Sequence, residues 1–266
     1  MKLSITMATF WLLFAFNAAA VDDWSDCLSC HRERDTSLVA AWEQDRHNTP
    51  EITCRSCHGS DHDGRMAARS RRQEACTDAG CHHRENGSHA LSKHGVIATL
   101  EAQKSDFSQP ARDGNYRAPT CAYCHLHGGN HDTGAGVLPL APVDDRQPPD
   151  KEARLEARAA PCRECHSPRF VATWFATGDR MTEIGRMKLR EATAVVAAID
   201  ERDSEAAKAA RAILRQMRES HLRNVRLGVG HQSPDEQWWH GHPALDGDLL
   251  RIKSILSDLR RQTTAP

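Results

Sequence analysis

Aromatic side chains are scarce in this chain. Of 266 residues, only 6 are Phe, 6 Trp and 2 Tyr, and the hydrophobic fraction is 39%. That is thin for a chain that must build its own core, and it excludes an ordinary cytosolic enzyme interior. Excess charge is lacking too: the formal net charge is −1 with His neutral. No electrostatic footprint for nucleic acid or an anionic membrane is present, and no nucleic-acid partner is expected. Beyond the first twenty residues no apolar run is long enough to span a bilayer. Length alone allows one or two domains. What the chain does have is 10 Cys and 16 His. Something other than aromatic rings must fill the interior.

The first twenty residues read as an address. Lys2 gives a positive start, residues 5–16 are mostly apolar, and Asn17-Ala18-Ala19-Ala20 offers an Ala-x-Ala end. This is a secretory leader cut after Ala20, and it sends the remainder to the periplasm. The alternative, an uncleaved anchor, suffers from an apolar run shorter than the ~20 residues that span a bilayer.

An exported chain with ten Cys invites a disulfide reading. The arrangement argues otherwise. The cysteines fall into five pairs: Cys27/Cys30, Cys54/Cys57, Cys76/Cys81, Cys121/Cys124 and Cys162/Cys165. The second Cys of every pair is followed at once by a histidine: His31, His58, His82, His125 and His166. Chance would produce this roughly once in a million trials. Cys-x-x-Cys-His is the attachment signature of haem c, with two thioether bonds to the vinyl groups and the adjacent His as proximal iron ligand. Four pairs have this spacing, whereas Cys76 and Cys81 enclose four residues. Structural zinc wants four ligands and gives no reason for a His after each pair. Redox Cys-x-x-Cys motifs come singly. The expected cofactors are five covalently attached haems c, and the macrocycles themselves supply the missing core.

Eleven histidines remain, more than the five needed for bis-His coordination. His62 lies four residues after His58, so on a helix the two share a face and His62 must serve another haem. His47, His94 and His131 are further candidate distal ligands. The apolar stripe Ala206, Ala210, Ile213, Leu214 and Met217 leads to His221 and Val225, which puts His221 on a core face. It is read as a distal ligand rather than a hydrogen-bonded core histidine. His231, after Gly228-Val229-Gly230, competes with it. His83, His89, His127, His240 and His242 read as surface or supporting residues. Met66, Met181, Met187 and Met217 are poorer axial ligands given the histidine surplus.

All five motifs lie within residues 21–170. No run of alternating β-branched residues suggests a strand, and residues 139–149 read as a Pro- and Asp-containing loop. From 171 to 266 the chain is Ala-, Glu- and Arg-rich, with helices expected near 167–177, 180–201, 204–227 and 246–262. The fold class is mainly α: a haem-packed multihaem region with long C-terminal helices against it and little or no β-sheet.

The order of these stretches resembles the superfamily that contains octahaem hydroxylamine oxidoreductase and pentahaem cytochrome c nitrite reductase. The likeness rests on Cys27–His31 leading through Trp42 to His47, then Cys54–His58 with His62. It continues with Cys81-His82 and Ser92-Lys93-His94-Gly95, with Ala118-Pro119-Thr120-Cys121 through His125 to His131-Asp132, and with Cys162–His166. The resemblance implies distal roles for His47, His62, His94 and His131, and haems in stacked and perpendicular pairs. It departs in three ways. There are five motifs, not eight; no Cys-x-x-Cys-Lys is present; and the only tyrosines are Tyr116 and Tyr123, with none in the tail. The commonest catalytic signatures of the superfamily are thus missing.

Two functions compete. The first is an electron carrier of low-spin bis-His haems, passing electrons between a membrane quinol dehydrogenase or soluble cytochrome and a periplasmic acceptor, in nitrogen-compound or anaerobic respiratory metabolism. The second is an oxidoreductase acting on hydroxylamine or nitrite. It needs one haem with an open iron position, for which the Cys27/Cys30/His31 site is the candidate, and proton-handling groups such as His127, or His131 with Asp132. The missing signatures favour the first. A homo-oligomer is compatible with either.

Overall fold

The computed structural model describes residues 25–60, 62, 65–110, 117–136, 151–199 and 204–264. The leader and the 139–149 loop lie outside them. Among the described residues there is no strand; the sole β feature is an isolated bridge between Thr49 and Ile52. The chain is mainly helical, in agreement with the sequence reading.

The first half consists of short helices: α1 (Ser25–Arg34), α2 (Thr36–Gln44), α3 (Cys54–His58), α4 (Arg65–Arg71), α5 (Glu74–Thr77), α6 (His83–Ala90), α7 (Lys93–Glu101) and α8 (Cys121–His125). Polar residues punctuate them. Asp35 Oδ1 accepts from the Leu38 N–H at 3.0 Å to cap α2, and Ser92 Oγ accepts from the Gly95 N–H at 3.0 Å to cap α7. Gly95 has a second reason to lack a side chain. A Cβ there would lie 2.0 Å from the His89 carbonyl oxygen, so only glycine lets α7 leave α6 at this angle.

The second half is built from α9 (Lys151–Arg163), α10 (Pro168–Ala197), α11 (Glu205–Gln216), α12 (Leu222–Gly230), α13 (Pro234–His240) and α14 (His242–Thr264). Ser167 caps α10, with Pro168 in its first turn, and Ser233 with Pro234 starts α13 the same way. A single π turn, Met217–His221, joins α11 to α12. Leu189, Ala192, Met217, Leu222, Val225, Leu245, Leu249 and Ile252 form one buried cluster between α10, α12 and α14. Ile199, Ala207 and Ala210 form a second, against Leu256 and Leu259.

One expectation is corrected here. The sequence suggested a break near Gly178, but α10 runs unbroken through it. A Cβ on Gly178 would meet Val229 Cγ1 at 2.6 Å, so this glycine is a contact point between α10 and α12, not a helix end. Likewise the helix expected to end at 227 continues to Gly230, and the last helix begins at His242, ahead of 246.

The two halves contrast in packing. The large fully buried side chains concentrate in the second. Among the described residues before 137, the buried apolar side chains are Val39, Trp42, Phe107, Ala118 and Ala122. The halves meet where Arg84 donates to Asn224 Oδ1 and where Arg223 Nη2 lies 3.3 Å from Glu85 Oε1.

Candidate haem sites

The motifs share one local shape. In α3 and α8 a single helical turn carries Cys, Cys and His at i, i+3 and i+4, which puts all three on one face. At the fifth motif the His166 N–H closes back onto the Cys162 carbonyl at 2.9 Å. The third motif reaches the same closure by a detour. Three of its four intervening residues form a 3₁₀ turn, Asp78–Gly80, in which Gly80 has φ of +76°. The His82 N–H then donates to the Cys76 carbonyl at 3.2 Å. The long spacing thus keeps the relation of first cysteine to histidine. No disulfide joins any of the ten cysteines.

Cys30, Cys81, Cys124 and Cys165, each the second of its pair, are exposed, whereas the first cysteine of every pair is half-buried. A short helix rests one side on its neighbours, and the first cysteine is rooted there while the second stands at the rim. Cys57 departs from the pattern and is half-buried, because α4 and α5 pack against α3. Exposure at Cys30 and Cys165 is compatible with thioether attachment, which requires a thiol that an outside group can reach.

The histidines face one another across open space. His31 faces His62 with ring centres 6.3 Å apart, and His58 faces His131 at 6.1 Å with near-parallel rings, 19° apart. His82 faces His47 at 5.7 Å, with their Nε2 atoms 3.4 Å apart. His166 faces His94 at 6.1 Å. Two imidazoles on opposite sides of one metal, each bound at about 2 Å, have ring centres roughly 6 Å apart. The four pairs match that span, and each joins a Cys-adjacent histidine to one remote in sequence. Burial lowers the pKa of His58 and His94, which favours the neutral imidazole that binds metal. Among the described residues no group of three or more His, Cys, Asp or Glu is arranged to hold a metal ion. These are two-nitrogen sites, which suit an iron whose other ligands come from a macrocycle and do not suit structural zinc. The haem c group fits these residues.

The fourth site is arranged differently. His125 Nδ1 donates to the Thr133 carbonyl at 3.2 Å. Both His89 and His231 lie within electrostatic reach of His125, and their own rings are 6.5 Å apart and nearly perpendicular. His89 Nδ1 pairs with Gln73 Nε2 at 3.2 Å, and the ring also bonds the Pro119 backbone. His231 has a buried Nδ1 with no partner, and burial pushes its pKa down to about 4.

The remaining candidates sit elsewhere. His221 lies in the π turn of the C-terminal bundle with Nε2 3.2 Å from Asp248 Oδ2, and Arg251 also pairs with that buried carboxylate. Its contacts are those of a core histidine with a carboxylate partner, and no Cys-adjacent histidine is among them. Met217 fills the bundle core and Met187 is exposed. His127 Nε2 is 3.6 Å from Glu164, which also accepts from the Tyr123 hydroxyl, so the fourth and fifth motifs are tied together. The Cys27 site, the sequence's candidate for an open iron, has His62 opposite its histidine.

Sequence reasoning missed the groups that hold the ligands. Asp45 is buried, with 1% of its side chain exposed. Its Oδ1 accepts from both the backbone N–H and Nδ1 of His47 at 2.7 Å. Its Oδ2 accepts from the Thr133 N–H at 2.6 Å and Oγ1 at 2.7 Å. Burial pushes the carboxyl pKa up, but the bonds from His47 and Thr133 outweigh it and hold it below the ordinary value. The signal was the Asp-x-His spacing, in which an Asp side chain turns back to the N–H two residues on.

The motifs also follow one another in space. Cys27 lies within electrostatic reach of Cys54, and Cys57 of both Cys76 and Cys81. Cys76 lies beside Cys121, and Cys124 lies within electrostatic reach of Cys162. The five attachment points therefore form a row in chain order.

Comparison with known proteins agrees with this geometry. A family model described as "Seven times multi-haem cytochrome CxxCH" matches residues 35–209. A probable nitrite reductase-hydroxylamine oxidoreductase fusion protein of Kuenenia stuttgartiensis is 28% identical over 171 residues, covering 49% of this chain. The match takes in only 20% of that relative's length. A solved chain of the Kuenenia stuttgartiensis reducing HAO-like protein complex Kustc0457/Kustc0458 superposes with a TM-score of 0.56 at 16% identity. That superposition covers 90% of this chain and 86% of the other, a likeness of fold.

Proposed function

The chain belongs to the multihaem cytochrome Cys-x-x-Cys-His family, and from that membership we propose that it is a periplasmic electron carrier with five haems c in a row. The observation that carries the reading is the set of histidine pairs 5.7–6.3 Å apart, each joining a Cys-adjacent histidine to a distant one. In this reading His31 with His62, His58 with His131, His82 with His47 and His166 with His94 would hold four haems between them. His231 completes the fourth site opposite His125, because its free nitrogen has no other partner whereas His89 is held by Gln73 and Pro119. The cysteines hold the macrocycles, and the histidines close both faces of each iron. A bound haem supplies a reversible one-electron centre.

Histidines held on both sides of a bound haem would leave no position for substrate and would suit it to electron transfer alone. The row of attachment points gives electrons a path from the first site to the fifth. The leader sequence and haem attachment support an exported protein, and no described helix is long and apolar enough to cross a membrane. Its redox partners are then a membrane quinol dehydrogenase or a soluble cytochrome on one side and a periplasmic acceptor on the other. The relatives' names point to nitrogen-compound metabolism. One of them belongs to a two-protein complex, which supports docking onto a partner protein.

Reductive titration of the oxidised holoprotein tests the proposal. Five electrons should enter per chain, and neither nitrite nor hydroxylamine should alter the visible spectrum. Fewer electrons, or a spectral shift with either compound, would contradict it.

A further inference from the structure

We propose that Asp45 makes the third haem site, between His47 and His82, the most reducing of the five, so that electrons moving along the row cross an energetic step at its centre. The inference rests on the axial pairing proposed above. His47 Nδ1–H donates to Asp45 Oδ1 at 2.7 Å. A carboxylate in that position draws the proton toward itself, and the imidazole becomes a stronger donor through Nε2. A stronger donor favours the oxidised iron, which carries one more positive charge than the reduced iron. The carboxylate's own negative charge acts in the same direction. With 1% of its side chain exposed, that charge is poorly screened by solvent. The partners that fix it are the amide and hydroxyl of Thr133, neutral donors that leave its charge in place.

The opposite ligand of the same site has a carboxylate too. His82 Nδ1 is 3.8 Å from Glu85 Oε2, although Glu85 is partly exposed and shares its charge with Arg223. The contrast with neighbouring sites is direct. Nδ1 of His131 is 2.8 Å from the Gly129 carbonyl, and Nδ1 of His125 is 3.2 Å from the Thr133 carbonyl. Both are neutral acceptors. Among the described contacts only the third site has carboxylates beside both of its ligands, while Asp35 lies within electrostatic reach of His131 and Glu85 of His231 as well. Its motif lies between the second and the fourth in the row.

Asp45 is thus a positioning and tuning residue, and the readout that separates tuning from mere support is a reduction potential. Potentiometric titration of the holoprotein, followed by visible absorption and EPR, should be run on Asp45→Asn. This variant keeps the side-chain shape and an acceptor for His47 but removes the charge. All haems should stay low-spin, and the most negative midpoint should move positive while the others hold. Asp45→Glu, which keeps the charge, should leave that midpoint closer to its original position. Glu85→Gln should move the same wave in the same direction by less. His47→Ala identifies the wave, since it should turn one haem high-spin and alter that same midpoint. If Asp45→Asn leaves the most negative wave in place, or moves a different one, the inference is overturned although the pairing stands. If His47→Ala leaves every haem low-spin, the pairing itself is wrong and the inference falls with it.

Discussion

The two halves of the chain solve the problem of a core differently. Residues 168–264 bury Leu189, Met217, Val225, Leu245 and Ile252 against one another, as an ordinary helical protein does. Residues 25–136 bury few large apolar side chains and instead turn cysteines and histidines toward shared gaps. Apolar burial stabilises the first arrangement directly. The second must draw its stability from what fills the gaps, as metal-dependent folds do when binding and folding share one free energy. The contrast explains the composition: a chain that borrows its core from macrocycles can do with very few aromatics. It also supports the proposal that the region up to residue 166 holds the redox groups and residues 168–264 buttress them.

Removing the haems should break this contrast most sharply. In chain made without haem attachment, limited proteolysis should degrade residues before about 150 and leave a resistant helical fragment beginning near Pro168. Equal resistance of both halves would mean that the N-terminal half folds on its own. Next in size are the ligand variants. His62→Ala and His94→Ala should each turn one low-spin haem high-spin, whereas His221→Ala should leave every haem low-spin and lower only the melting temperature. A smaller effect, confined to the other half, is expected from Met217→Ala. Opening a cavity in the bundle core costs about 2–5 kcal/mol, read as a drop in Tm with haem count and spin state unchanged. Smallest is Gly178→Ala, where a methyl pushed against Val229 costs about 1–3 kcal/mol, again with unaltered haem spectra. A spectral change in either bundle variant would show that the halves are coupled more tightly than their separate cores suggest.

The sequence was informative wherever a side chain's chemistry is local. Cys-x-x-Cys-His needs only one helical turn, so the attachment points could be read directly, and the apolar spacing of Leu245, Leu249, Ile252, Leu256 and Leu259 marked the last helix. How deeply each thiol sits was not legible, since the exposure of Cys30 and Cys165 depends on which neighbours a short helix finds. Pairings across space were less legible still. His62 was denied to His58 on the premise of a shared helix, but α3 ends at His58, where Gly59 takes φ of +83°, and nothing local says that His62 faces His31. His221 illustrates the limit. Its place on an apolar stripe correctly predicted a core position, yet the core in question is the bundle, where Asp248 waits on the adjacent helix α14. Gly178 was read as a helix end because spacing cannot reveal Val229 pressing on it from another helix. Asp45 went unnoticed because its role depends on Thr133, 88 positions further along the chain.

The central claim is that every iron in this protein is closed by two histidines. It is tested most directly by EPR of the oxidised holoprotein beside a pyridine haemochrome count. Five haems per chain, all low-spin, is the predicted result. A high-spin signal, above all one that changes on adding nitrite or hydroxylamine, would contradict it and turn the search to a catalytic iron at the fourth site, where His125 faces His89 and His231.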